Sequence, residues 1–395
     1  MTYFKQSSFI KYFLFLLIIV INFNKSVAQV PYTDPTNAGD WILNTAVSDE
    51  FNSGTINEAK WLIQGKNGEY RSNFIGRAPS QFSTNNVRIE NNMLKIQTKW
   101  DPTFSFTDRI KDGYAFGKLN TTDATFTCPV TTAAIIGKTA FQYGYMEISC
   151  KCADASITSA FWALGNGAEF DVFENLGKPS LPNKTQLETQ IWSSIHDWTL
   201  SGGPSVWTER NQLPFRVAGG FHTWGVEWDP EFLKFYADGQ LIRSITKADV
   251  VNSPSAVAAG SVGWVMDRPI YIWVDSEAFY WTGLPSQASL PVDYEIDYIR
   301  VWQKNTTGIL SKKADNDVKV YCTNNTDTEF VVQKPNYDDV RVSVIDIQGK
   351  ILYNEVFYNK NLIEVSSSQL KLKSGIYFVR LSDSSGVTTK KIIKG

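Results

Sequence analysis

The densest chemistry in this 395-residue chain lies in Phe161-Trp-Ala-Leu-Gly-Asn-Gly-Ala-Glu169-Phe-Asp171-Val-Phe-Glu174. Side chains alternate between faces along an extended strand, so Glu169, Asp171 and Phe173 share one face and Glu174 takes the other. One extra residue between Asp171 and Glu174, a β-bulge, would return Glu174 to the face of Glu169. Three carboxyls on one face repel one another and serve stability poorly. They suit acid–base work, because close carboxyls push each other's pKa values apart. Cleaving a glycosidic bond uses one ionised and one protonated carboxyl; at a separation of about 5–5.5 Å the ionised one attacks and configuration is retained. The spacing alone also fits a solvated acidic strand, or a calcium site built from the same oxygens.

The surroundings favour catalysis. Phe161, Trp162, Phe170 and Phe173 flank the acids, and the chain carries 13 Trp, 17 Tyr and 24 Phe. Every tryptophan lies between Trp41 and Trp302. Flat aromatic faces are platforms for the apolar C–H faces of sugars, although core packing is the commoner fate of any one ring. Trp162, Trp192, Trp198 and Trp273 are the candidate cleft aromatics. With 38 basic and 40 acidic residues the net charge is -2, which offers nucleic acid no electrostatic footprint.

The elements that must position these groups read as strands. Val87–Glu90, the pair Asn91-Asn92 and Met93–Lys99 form a hairpin pattern of alternating apolar and polar residues. Gln142–Cys152, Thr223–Trp228, Phe232–Tyr236 and Tyr294–Trp302 are strand-like, the third closing on the turn Ala237-Asp-Gly-Gln240. Many antiparallel strands without long amphipathic helices predict an all-β fold, a large two-sheet sandwich with a cleft. Residues 29–303 are expected to form this domain, the catalytic one if the acids act as above. Residues 304–317 are polar and read as a linker, and residues 318–395 contain the strands of a small C-terminal β-sandwich domain.

At the start, Lys5 and Lys11 precede the apolar run Tyr12–Phe23 and the small-x-small site Ser26-Val27-Ala28. Twelve helical residues span roughly 18 Å, short of the roughly 30 Å bilayer core, so residues 1–28 read as a cleaved signal peptide. Four cysteines follow. Cys150 and Cys152 sit too close to pair readily with each other, while Cys128 with one of them, or buried thiols, both remain open; Cys322 has no assigned partner. Two histidines and no Cys-x-x-Cys leave no assignable zinc site.

Glu169-x-Asp171-x-x-Glu174 resembles the bulged active-site motif of glycoside hydrolase family 16. Other landmarks follow that family's order: Ser48-Asp-Glu-Phe51 with Trp61, Tyr143-Gly-Tyr-Met-Glu147, Trp224-x-x-x-Trp228-x-Pro230, Phe235-Tyr-Ala-Asp-Gly239 and Asp297-Tyr-Ile-Arg-Val-Trp302. The resemblance covers residues 40–303. It implies a concanavalin-like β-jelly-roll and a retaining endo-hydrolase. By position, Glu169 would be the nucleophile, Glu174 the general acid/base, and Asp171 the group that holds Glu169 and tunes its charge. No cofactor is required, and a structural calcium, common in the family, cannot be located.

Asp346-x-x-Gly349-Lys350, Leu372-x-x-Gly375-Ile-Tyr377 and the terminal Lys390-Lys-Ile-Ile-Lys394 resemble the sorting domains of the type IX secretion system. That resemblance implies export through the periplasm of a Gram-negative bacterium, to the medium or the cell surface, by the type IX machinery. A monomer is expected.

Gly76-Arg77-Ala-Pro-Ser-Gln-Phe82 and Ser194-Ile-His196-Asp-Trp198 resemble the agarase–porphyranase branch, whose substrates are β-1,4-linked red-algal galactans. Porphyran carries sulfate esters, which arginine reads well. Arg71 and Arg77 border the non-reducing side of the cleft by resemblance, which tilts the expectation to porphyran. Ala163, where a second basic residue would help, weakens that tilt, so agarose stays close behind porphyran. His196 is placed to hydrogen-bond a galactose hydroxyl next to the cleaved bond, and His222 reads as structural. Outside this branch stand κ-carrageenase and β-1,3-glucanase. A galactan-binding lectin on the same sandwich would have no need of Glu169 and Glu174.

Overall fold

The computed structural model describes residues 29–394 except 112, 119–126, 305–318, 323–327, 349, 367 and 384–385. The expected signal peptide lies outside the described residues, as does the expected linker apart from Lys304. The chain divides into two compact units, residues 1–304 and 305–395.

In the first unit two antiparallel-rich sheets face each other, as a jelly-roll sandwich does. Among the described residues one sheet has ten strands and the other seven. The seven-stranded sheet runs, in spatial order, Ser205–Gln212, Gln190–Asp197, Ala168–Leu176, Thr158–Gly165, Tyr271–Asp275, Ala134–Gly137 and Trp61–Ile63. The acidic segment is therefore a central strand, braced on both sides. The Val87–Glu90 and Met93–Trp100 hairpin pairs as the alternation demands, with Asn91 and Asn92 both at positive φ (54° and 58°) in a two-residue turn.

Burial of apolar side chains between the sheets holds the unit together. Phe170 meets Phe235 of the opposite sheet edge-on, ring centroids 5.7 Å apart, and Phe173 meets Trp224 at 5.3 Å. Trp61, Trp224, Trp228, Trp273 and Trp302 are wholly enclosed. The Tyr143-Gly-Tyr landmark has a packing cause. Gly144 adopts φ 132°, and a Cβ there would lie 2.2 Å from the Trp302 carbonyl oxygen on the paired strand. Cys128, Cys150 and Cys152 are buried free thiols, and burial pushes the Cys128 thiol up to about 12. The side chain of Cys322 lies outside the described residues.

Among the described residues the second unit is a five-stranded, nearly closed β-structure around its own core of Phe330, Val332, Val340, Val342, Val344, Ile363 and Val379. Its Asp346 side chain accepts from the backbone N–H groups of Gln348 and Lys350, tightening the turn that begins Asp346-x-x-Gly-Lys.

Candidate active site

The central strand carries the bulge. Phe173 pairs with Phe161 and Asp171 with Trp162, so Val172 is the extra residue. Val172 and Phe173 both turn into the core, and Glu174 rejoins Glu169 and Asp171 on the open face. All three acids line one cavity of about 530 Å³, with Arg71, Phe74, Arg77, Lys111, Trp162, Trp198 and Tyr271 in its wall.

Each acid has a different set of neighbours. Glu169 accepts a hydrogen bond from Trp198 Nε1 to Oε2 at 2.7 Å. Asp171, 3% exposed, accepts from the Ser194 hydroxyl, its partner across the ladder. Glu174 has Ala160 opposite it, and Asp275 stands on the far side of Ala160. The small alanine leaves room for two acids on either flank. His196 directs Nε2 at Asp171 Oδ2 (3.6 Å) and Glu169 Oε1 (3.9 Å), while its Nδ1–H donates to the Gly203 carbonyl at 2.9 Å.

This crowding sets the charge states. Burial, then repulsion from Glu174, pushes Glu169 up to about 7, against the pull of the Trp198 hydrogen bond and the Arg77 charge. Asp171 is pushed up to about 7 by burial and by Glu169, opposed by His196, Ser194 and Arg77. Burial and the Asp171 charge drive Glu174 well above the usual carboxylate range, with Arg77 and Arg210 opposing. Carboxyls poised near neutrality beside others held protonated are the division of labour that acid–base chemistry needs.

Glu169, Asp171 and His196 also place one ligand atom each within 4.8 Å of one another. Calcium takes oxygen ligands, and an imidazole nitrogen among the three disfavours it. The trio points to proton chemistry.

The other expected residues fall at distinct places. Trp162 and Trp198 reach the cavity wall, and Trp198 is 47% exposed. Trp162 donates Nε1 to Asp275 Oδ2 at 3.0 Å. Trp273 stacks under Trp162 with centroids 4.6 Å apart but is wholly buried, so it is a floor for that ring and offers a sugar no open face. Trp192 lies outside the cavity wall, and the Arg210 guanidinium covers its ring at 4.0 Å. Arg71 donates to the Gly137 carbonyl at 3.1 Å and stacks on Tyr271 at 4.4 Å. Arg77 pairs with Glu277 through Nε at 3.4 Å. His222 stacks on Phe215 and bonds Asp238, a packing role. Of the four aromatics flanking the acids, Phe161, Phe170 and Phe173 belong to the core and Trp162 alone faces the cavity. Ala163 also faces the core, fully buried, so a basic residue there could not reach a sulfate. Its small size bears on packing rather than substrate.

Sequence reasoning missed Asp275 and Glu277, both buried, and Arg210. The signal was present in Trp273-Val-Asp275-Ser-Glu277, an alternating strand pattern that places all three on the cavity side.

Residues 323–395 match the family described as Secretion system C-terminal sorting domain, which marks the chain for export to the medium or the cell surface. The chain is 25% identical over 246 residues to Beta-porphyranase D of Zobellia galactanivorans, covering 55% of this chain and 53% of that protein. It thus spans about half the length of that curated relative. It is 26% identical over 310 residues to a Beta-agarase of Phocaeicola plebeius, covering 71% and 91%. The crystal structure of porphyranase B from Zobellia galactanivorans shares the fold, with TM-score 0.50 and 22% identity over 67% of this chain and 92% of that one. Residues 41–304, the unit that carries the bulged acids, match the family described as Beta-porphyranase A-D, GH16 domain, and the chain belongs to that glycoside hydrolase family 16 group.

Proposed function

We propose that this chain is a secreted, retaining endo-glycoside hydrolase that cleaves β-1,4-galactosidic bonds in agar-type galactans, porphyran before agarose. The observation that carries the reading is the bulge at Val172, which gathers Glu169, Asp171 and Glu174 on one wall of the cavity. In the first step ionised Glu169 attacks the anomeric carbon as protonated Glu174 gives its proton to the departing glycosidic oxygen. Glu174, now ionised, then takes a proton from water, whose oxygen attacks the anomeric carbon and releases Glu169. Two inversions give retention. Asp171 and Ser194 support Glu169 and keep the anionic charge divided between two buried carboxyls. Export by the type IX route through the periplasm places the enzyme on its polymer.

Porphyran leads because the matching family is described by that activity and because Arg71 and Lys111 line the cavity as cations. Ala163, buried in the core, weighs on neither substrate. Agarose is the second reading, favoured by Arg77, whose charge is committed to Glu277 rather than held open for sulfate. Reducing-end release by the purified full chain on porphyran, agarose, κ-carrageenan and laminarin tests both. Porphyran turnover above agarose is the expected result, and activity on laminarin alone would overturn the proposal.

A further inference from the structure

The seven-stranded sheet places cations on both sides of the acids. Arg71 stacks on Tyr271, two strands to one side of the Ala168–Leu176 strand. Arg210 lies on Ser205–Gln212, two strands to the other. A polysaccharide crossing the sheet over Glu169 and Glu174 would run from Arg71 in the cavity wall towards Arg210, which stands outside that wall.

Arg210 is built differently from the other arginines of the site. It pairs across the ladder with Trp192, on the open face, and its guanidinium lies 4.0 Å above the Trp192 ring centre. That ring is itself fixed. Trp192 Nε1 donates to Thr208 Oγ1 at 3.2 Å, and Phe279 packs against the ring edge-on at 6.2 Å. The Trp192 backbone N–H reaches the Asn175 side chain, which sets the pair beside the Glu174 end of the central strand. Arg71 spends a donor on the Gly137 carbonyl and Arg77 on Glu277. Arg210, partly exposed and with its charge reaching Glu174, makes neither a hydrogen bond nor an ion pair among the described residues, which leaves its five N–H donors without a protein acceptor. Stacking on an indole fixes the plane of a guanidinium while leaving its edge open, the arrangement that binds tetrahedral oxyanions in bidentate fashion.

We infer that Arg210, held flat by Trp192, reads a sulfate ester on the galactan unit bound across the central strand from Arg71. The inference rests on the galactanase reading above and adds a specificity residue to it. Trp192 is thereby a support for the cation and not a sugar platform. A sulfate at that point also faces Glu174, which the Arg210 charge already opposes in its upward shift.

The test measures kcat and KM of the full chain on porphyran and on agarose for wild type, Arg210→Ala and Arg210→Lys, with melting curves to confirm folding. The expected result is a fall of at least about tenfold in the porphyran-to-agarose ratio of kcat/KM for Arg210→Ala, carried by KM. Arg210→Lys, a point charge without the fork, restores part of that ratio. An equal fall on both polymers, or a displaced alkaline limb of the pH profile with the ratio unchanged, would overturn the inference and leave Arg210 as a partner of Glu174. A wild type that cleaves neither galactan would overturn both this and the functional reading, before any variant is compared.

Discussion

Trp198 donates its indole N–H to Glu169 Oε2 at 2.7 Å, from a ring nearly half exposed to solvent. The bond favours the ionised carboxyl and opposes the burial that raises Glu169 to about 7. The acid limb of kcat/KM should therefore lie near neutrality, where the nucleophile ionises. Trp198→Phe keeps the ring and removes the donor, and should move that limb to higher pH by roughly one unit. A pH–rate profile of the two proteins checks this; an unmoved limb would show that Glu169 does not set it.

The same crowding makes the site costly to the fold. Glu169 and Asp171 rise from ordinary values of 4.5 and 3.8 to about 7, so between those limits the folded chain binds more protons than the unfolded chain. Stability from this source is full below the unfolded values and is lost as pH rises through the folded ones. Glu169→Gln removes the charge, and its amide oxygen can still accept from Trp198. It should melt a few degrees above wild type at pH 8, with the gap closing towards pH 4.5, while turnover falls about 10³-fold or more. A gap of the same size at both pH values would show that the carboxyl charge is not its source.

The bulge itself can be removed. Phe173 pairs with Phe161 and Asp171 with Trp162, so deleting Val172 would leave the pairs with the Thr158–Gly165 strand in register and convert the strand to regular alternation, at the cost of the Ser193 hydroxyl's bond to the Val172 carbonyl. Glu174 would stay on the open face, displaced along the strand towards Asp171. The deletion variant should fold, with the loss of one buried valine costing about 1–3 kcal/mol. Its turnover should fall by about 10²-fold, because an ångström-scale misplacement of a reacting group costs that much. Unchanged turnover would show that the bulge serves packing and not the spacing of the acids.

Alternation along Glu169–Glu174, broken by one residue, was legible in the chain because strand geometry leaves few ways to bring a third acid to one face. The sandwich was legible too, from turn residues such as Asn91 and Asn92 between alternating runs. What residue types alone could not convey is which face each aromatic takes. Trp162 and Trp273 read alike, yet one borders the cavity partly open and the other lies sealed beneath it. Ala163 read as a position where a basic residue would help bind sulfate, but the same alternation that exposes Trp162 turns its neighbour into the core. The pairing of Arg77 with Glu277, 200 residues further along the chain, is encoded in no local pattern.

Arg77 shows how such a partner changes the reading of a residue. Its charge pulls all three acids, Glu169, Asp171 and Glu174, towards ionisation, while its Nε pairs with Glu277, 5% exposed. A cation in that position governs the proton balance of the site whichever galactan is bound. Arg77→Gln should raise the pKa values of the acids, move the acid limb upward and lower turnover on porphyran and agarose in equal proportion. It should also destabilise the fold, because Glu277 is left buried without this countercharge, and breaking a buried pair costs about 3–5 kcal/mol. The double variant Arg77→Gln, Glu277→Gln removes both charges and should recover most of the stability but not the original pH profile. Melting curves and pH–rate profiles on both polymers separate these effects. A selective loss on porphyran would instead give Arg77 a part in reading sulfate.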